Sequence, residues 1–262
     1  MEISKRPSHS DDLHPGPVFQ PRLYPGLASW FHLLSAPGDY AEEATFFRNV
    51  IRSACASPPH TLLELGSGGG NNASFLKAHF RLTLVDLSPQ MIAISQSINP
   101  ECEHCTGDMR SIRLRRLFDA VFIHDAISYM LTEVHLAQVI ETAYVHCKPG
   151  GVALFVPDHV RETFRDSTCH GGHDSHERGL RYLEWTWDPY PDDTTYLVDF
   201  AYMLRDEKGE IRVEADRHQL GLFPHADWLR IIGSVGFEPR AIPFEHSEVD
   251  PGSHVFLGLR PT

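Results

Sequence analysis

The amino-acid sequence predicts an α/β fold, a mostly parallel sheet covered on both faces by helices, with an antiparallel insertion after its fifth strand. Three observations carry this. From Thr61 onward, short and continuously apolar runs alternate with helix-compatible segments, as strands buried on both faces alternate with crossover helices. The first such run, 61–65, opens directly onto Gly66-Ser67-Gly68-Gly69-Gly70, where backbone without Cβ atoms can turn sharply and approach a ligand. After Asp158 the pattern changes to a near alternation of aromatic and β-branched residues, the signature of antiparallel strands.

In chain order, residues 1–21 are rich in Pro, Ser, His and Asp and predict a disordered arm, with an ordered domain over 22–262. Ala44, Phe47 and Ile51 fall at helical spacing and predict a helix over 40–54, which Pro58-Pro59 ends. Strands are expected at 61–65, 82–85, 102–106, 120–124 and 152–156, with helices over 73–79, 89–97 and 132–147 between them. Pro89 suits a first helical turn, and Pro149-Gly150-Gly151 turns the chain into the fifth strand. Residues 159–222 are expected to form a lid and antiparallel cap. The lid is polar and rich in His and Gly (159–179), and strands follow at 180–188, 195–204 and 211–215. A helix over 224–235 and two closing strands, 238–244 and 254–260, complete a sheet of seven.

The totals exclude several classes. A chain of 262 residues, 42% of them hydrophobic, suits one α/β domain of generous size. Its net charge of −12 repels phosphate backbones, so no nucleic-acid partner is expected. Five scattered cysteines predict reduced thiols and a cytoplasmic location. No apolar run approaches the ~20 residues that span a bilayer, and the first residues lack the apolar core of a signal peptide. No membrane partner is expected, and a homodimer remains open. The pair Cys102-x-x-Cys105 lacks the second pair of ligands that zinc needs. His170, His173 and His176 are interrupted by Gly171-Gly172, which argues for a lid there and against a metal site.

The glycine turn followed by a helix N-terminus invites a nucleotide-type cofactor. A dinucleotide fingerprint would be Gly-x-Gly-x-x-Gly with an acid ~20 residues on. Asp86 stands at a fitting distance from Gly66, but the third glycine counted from Gly66 falls on Asn71, and counted from Gly68 on Ala73. The set Glu64-x-Gly66-x-Gly68-x-Gly70, with Asp86 closing the second strand, Gly107-Asp108-Met109, and Lys148-Pro149-Gly150-Gly151, resembles instead a class I S-adenosylmethionine-dependent methyltransferase. The resemblance covers about 62–260 and implies the Rossmann-like, seven-stranded fold of that class. Within it, the sequence is similar to small-molecule methyltransferases, nearest to the deoxyaminosugar N,N-dimethyltransferases.

That resemblance implies S-adenosyl-L-methionine as cofactor, held by the loop residues Gly66, Ser67, Gly68 and Gly70 and by Glu64 toward its ammonium. Asp86 and Leu87 lie toward the ribose, and Asp108, Met109 and Met91 toward the adenine. Vicinal hydroxyls beside a strand end suit the two oxygens of a carboxylate, and ligands bind open α/β sheets at that edge. The implied reaction is methyl transfer to an amine or hydroxyl of a small metabolite. A C-methyltransferase, an aminopropyl-transfer enzyme, or a silent cofactor-binding protein are the alternatives on the same scaffold. His124, at the end of the fourth strand, is the candidate base, because an imidazole titrates near neutral pH; its backbone carbonyl toward the cofactor is the other reading. Asp125 could orient it or bind a cationic amine. Tyr24 resembles an N-terminal tyrosine that closes the site in related enzymes, and Tyr129, Trp185 and His218 are further candidates for the acceptor pocket.

Overall fold

In the computed structural model, the structure describes residues 21–247 and 252–262. The arm expected over 1–21 lies, except for Pro21, outside the described residues. Two short helices, α1 (Leu23–Gly26) and α2 (Phe31–Leu34), lead into α3 (Ala41–Ala54). The alternation that follows is β1 (Thr61–Leu65), α4 (Asn71–Leu76), β2 (Arg81–Asp86), α5 (Pro89–Ile98), β3 (Glu103–Thr106), β4 (Phe118–Ile123), α6 (Glu133–His146) and β5 (Cys147–Phe155). Next come four strands, β6 (Ser167–Gly171), β7 (Gly179–Trp187), β8 (Thr195–Arg205) and β9 (Ile211–Gly221). The chain closes with α7 (His225–Val235), β10 (Glu238–Pro243) and β11 (His254–Leu259).

Seven strands form one sheet in the order β10-β11-β5-β4-β1-β2-β3. Strands β1 to β5 are parallel, β11 runs antiparallel to β5, and β10 antiparallel to β11. The parity of the strands divides the core into two layers. Leu63, Leu65, Val121 and Ile123 face α6 and α7, while Leu62, Leu84, Ala120 and Phe122 face α3 and α4. Helix α3 exists because its apolar stripe has that face to cover: Phe47 and Ile51 are fully buried. Truncating Phe47 to alanine would cost about 3–5 kcal/mol. Ser88 caps α5 by accepting from the Met91 amide (3.3 Å), and Thr132 caps α6 by accepting from the His135 amide (3.2 Å).

The remaining strands form a separate four-stranded antiparallel sheet, β6-β7-β8-β9. Two of its features differ from expectation. Ser167–Gly171 forms an edge strand where a lid without strands is expected; four of its five residues are exposed, so backbone pairing to β7 holds it and no apolar alternation marks it. Strand β9 runs on to Gly221 beyond the expected end at 215, and its polar second half is paired throughout with β8. The histidines of that stretch do not gather. His170 lies in β6, and His173 pairs with Asp39 at 3.0 Å. Among the described residues no group of three metal-ligating side chains forms, and no helix is long and apolar enough to cross a membrane.

Candidate active site

The strand order reverses between β1 and β4, and a cavity of about 790 Å³ opens there at the carboxyl ends of the strands. The glycine turn forms its floor. Gly66 has φ 73°, and a Cβ on it would stand 2.3 Å from the Cβ of Ala126, so only glycine lets β1 run this close to the segment after β4. The Gly66 and Ser67 amides donate to the Val85 carbonyl at 2.7 and 3.0 Å. Asp86 braces the loop from the end of β2. One of its oxygens accepts from the Gly68 amide and the other from the Ser88 amide, both at 2.8 Å. A carboxylate has about four acceptor sites, so with the Leu87 amide also donating, capacity remains for a further donor.

Glu64 is a buried carboxyl that the fold leaves partly unsatisfied. Only 3% of it is exposed, and its Oε2 has no hydrogen-bond partner among the described residues. Burial, helped by the negative charges of Asp86 and Glu43, pushes its carboxyl up to about 8 against the opposing pull of His124. The Ser67 hydroxyl is likewise buried without a partner. An orphaned acid beside a turn that tolerates no side chain is a cradle for a ligand with a positive group. The residues therefore fit a cofactor that carries an ammonium and a nucleoside.

Leu87, Asp108 and Met109 also line the cavity, but Asp108 is turned to Arg110. Its carboxylate accepts from Arg110 Nε (3.1 Å), Nη2 (2.6 Å) and the backbone amide (2.8 Å), an ion pair in place of the free acceptor expected beside adenine. Three expected site residues are absent from the lining. Gly70 serves the fold: its φ of 79° starts α4, and a Cβ there would meet Ser95 Oγ at 2.3 Å. Met91 is fully buried on α5 and packs beneath the turn. Trp185 is 52% exposed on the outer face of the cap, stacked on Trp187, because strand parity gives the inner face to Glu184 and Thr186.

His124 lines the cavity, and its surroundings are acidic. It continues the parity of Phe122, so its ring turns toward α3 and lies 5.3 Å from the Phe47 ring. There Nε2 is 3.5 Å from Glu43 and Nδ1 is 3.1 Å from Asp125. Burial alone would lower its pKa, but the carboxylates of Asp125 and Glu43 outweigh burial and raise it to about 10. An imidazole paired on both nitrogens with carboxylates favours its cationic form, which suits charge balance better than proton uptake. Glu43, which also accepts from Asn72 at 2.8 Å, carries no local sequence signal that could have announced it.

The acceptor side is built from distant segments. Tyr24 from α1, Tyr129 after β4 and His218 from β9 form a chain: the Tyr24 and Tyr129 hydroxyls are 2.8 Å apart, and the Tyr129 hydroxyl is 2.7 Å from His218 Nδ1. His218 Nε2 faces Asp216 at 3.2 Å, so that nitrogen carries the hydrogen and Nδ1 accepts from Tyr129. Burial holds both tyrosine hydroxyls well above the usual phenol range. Asp216 also accepts from the backbone amides of Arg22 and Leu23, each at 2.8 Å, and so pins the first described segment to the cap. Asp125 and Asp158 stand side by side at the ends of β4 and β5, sharing a hydrogen bond. Burial and the neighbouring Asp125 push Asp158 well above the usual carboxylate range, whereas His124 overrides burial and holds Asp125 below it.

Comparison with known proteins agrees with this geometry. Residues 62–151 match the methyltransferase domain family. The chain is 25% identical over 224 residues to the dTDP-3-amino-3,4,6-trideoxy-alpha-D-glucopyranose N,N-dimethyltransferase of Streptomyces venezuelae, covering 84% of this chain and 91% of that protein. It is 24% identical to the dTDP-3-amino-3,6-dideoxy-alpha-D-glucopyranose N,N-dimethyltransferase of Streptomyces fradiae, covering 84% and 85%. The X-ray structure of a sugar N-methyltransferase from Streptoalloteichus sp ATCC 53650 superposes with a TM-score of 0.78 at 24% identity, over 99% of this chain and 100% of that one. Matched domain and superposition together give the chain a class I S-adenosylmethionine-dependent methyltransferase fold, with a methyltransferase domain over residues 62–151. Both of these relatives, matched along most of the chain, are by name N,N-dimethyltransferases of dTDP-linked aminosugars.

Proposed function

We propose that the protein transfers a methyl group from S-adenosylmethionine to the amine of a small metabolite. The observation that carries this is the orphaned Glu64 carboxyl at the end of β1, beside a turn on which a Cβ has no room. Glu64 would receive the cofactor's ammonium, the 66–68 turn would lie along its methionine part, and Asp86 would accept from the ribose hydroxyls. Met109 would offer polarizable surface to the adenine. The cofactor supplies an electrophilic methyl group on a sulfonium, and the chain supplies position, a dry cavity and a route for one proton.

Attack by an amine nitrogen leaves that nitrogen positively charged, and it must shed a proton before a second methylation. Tyr24 donates to Tyr129 and Tyr129 to His218, so a lone pair of the Tyr24 oxygen stays open to the cavity. As Tyr24 takes the acceptor's proton it passes its own to Tyr129, and Tyr129 passes its own to His218 Nδ1. The imidazolium so formed faces Asp216. Neither tyrosine becomes a phenolate at any stage.

The test is incubation with methyl-labelled cofactor and a pool of small amines and alcohols. Label on nitrogen supports the reading, label on carbon or oxygen redirects it, and no label despite cofactor binding gives a silent binding protein. A cytoplasmic location is part of the same reading, supported by the five free cysteines. So is a homodimer through the outer face of the cap, where Leu183, Trp185, Met203, Ile211 and Val213 are each about half exposed or more.

A further inference from the structure

Building on that reading, we infer that the acceptor is a small amine that arrives as a cation and carries no phosphate, and that Asp125 and Asp158 receive it. The two carboxyls come from adjacent strand ends and share a hydrogen bond. Both are enclosed by the cavity walls yet open to the space inside, Asp125 with 51% of its side chain accessible, so the space they face is the acceptor's. Asp125 faces the His124 imidazolium on one side at 3.1 Å, and that one cation stands against the two carboxyls and Glu43. The remaining contacts of Asp158 fix its position without supplying charge. The Asp158 amide donates to Ser128 Oγ at 3.1 Å, and the Tyr196 hydroxyl approaches an Asp158 oxygen at 3.5 Å. Across the cavity, Glu184 of β7 adds a third carboxyl to the lining.

Nothing of opposite sign stands ready for a phosphate. Among the described residues that line the cavity, Arg110 is the one Lys or Arg, and Asp108 already holds it at 2.6 Å. The His124 imidazolium sits between Glu43 and Asp125. Phosphate recognition draws on guanidinium forks, lysines and free backbone donors, whereas like charges set face to face are repelled at a cost of several kcal/mol. The relatives act, by their names, on dTDP-linked sugars, which bring a diphosphate into the site. The lining here is of the wrong sign for that group and of the right sign for an ammonium. When a cation docks between the two carboxyls, the proton they share is displaced to solvent and both pairs of oxygens become acceptors. The bound ammonium then gives one proton to Tyr24, which passes its own by way of Tyr129 to His218, and the lone pair so freed attacks the methyl group.

Matched acceptors decide this. Methyl-labelled S-adenosylmethionine is offered with ethanolamine against phosphoethanolamine, with a methyl 3-amino-3-deoxyglycoside against its dTDP-linked counterpart, and with arylethylamines and short diamines. Label is expected on at least one phosphate-free amine, and at least ~10-fold less on any phosphate-bearing partner. Asp125→Asn and Asp158→Asn are each expected to lower kcat/KM for that amine by roughly 30-fold or more. Their affinity for S-adenosylhomocysteine, titrated by calorimetry, should stay within about twofold, which also shows that the variants fold. Label confined to the phosphate-bearing acceptors overturns this inference and leaves the methyltransferase reading intact. Full activity of both Asn variants overturns it too. Label on no acceptor overturns the amine reading and this inference together.

Discussion

The hydroxyls of Tyr24 and Tyr129 lie 2.8 Å apart although 105 residues separate them in the chain. That contact joins the first described helix to the segment after β4, and His218 extends it into the cap. Three parts of the molecule thus meet over one end of the cavity. If the chain of hydroxyls moves a proton, Tyr129→Phe should lower kcat by about 10²-fold. The dissociation constant for S-adenosylhomocysteine should not change. Steady-state kinetics beside calorimetry would separate the two, and equal losses in both would make the contact merely structural.

Asp216 pins the first described segment to the cap, since its carboxylate accepts from the Arg22 and Leu23 amides. Asp216→Ala would leave both amides and His218 without that partner. The segment around residues 22–30 should then be cut faster in limited proteolysis, and KM for the acceptor should rise by about tenfold, while the melting temperature falls by only a few degrees. A wild-type cleavage pattern would deny Asp216 the pinning role.

His124 adds stability through its charge. Its pKa in the fold, about 10, lies above the ordinary 6.5, so its contribution is fully present below pH 6.5 and is lost as pH rises through 10. His124→Gln should cost about 3 kcal/mol at pH 6 in urea unfolding of the cofactor-free protein, because Glu43 and Asp125 lose their shared cation. The gap between variant and wild type should narrow from pH 7 to 10. A constant gap across that range would mean that packing on Phe47, not charge, is what the ring supplies.

Glu64 works in the opposite direction. Its carboxyl is raised to about 8 from 4.5, so the cofactor-free fold loses stability as pH climbs between those values. Glu64→Gln removes the ionisable group. The variant should melt a few degrees above wild type at pH 8, at roughly 2–4 °C per kcal/mol, and should bind the cofactor at least ~10-fold more weakly. A gain in melting temperature with unchanged cofactor affinity would take Glu64 out of the ammonium role.

The alternation of β1 to β5 with their helices was legible because burial on both faces leaves apolar runs, and the glycine turn was legible because backbone geometry demands glycine at Gly66. Strand β6 was not, since an exposed edge strand such as Ser167–Gly171 is held by backbone bonds that any residues can make. In the site, Tyr24, Asp125, Tyr129 and His218 were singled out, and the fold brings all four to one cavity. Glu43, Asp158 and Asp216 were missed because a lone acid has no local pattern; only the fold shows what it faces. Parity explains the other errors. One residue's shift along a strand sends Trp185 outward in place of Glu184, and the same rule sets the His124 ring against α3 at the edge of the cavity it lines.

The central claim is that a sulfonium nucleoside lies across the carboxyl ends of β1 and β2, and calorimetry with S-adenosylhomocysteine tests it most directly. Wild-type protein should bind with a micromolar or tighter dissociation constant, and Asp86→Ala should weaken binding tenfold or more, roughly 1.4 kcal/mol. Wild-type protein that gives no heat with this ligand or with S-adenosylmethionine, yet responds to NADH, would contradict the claim.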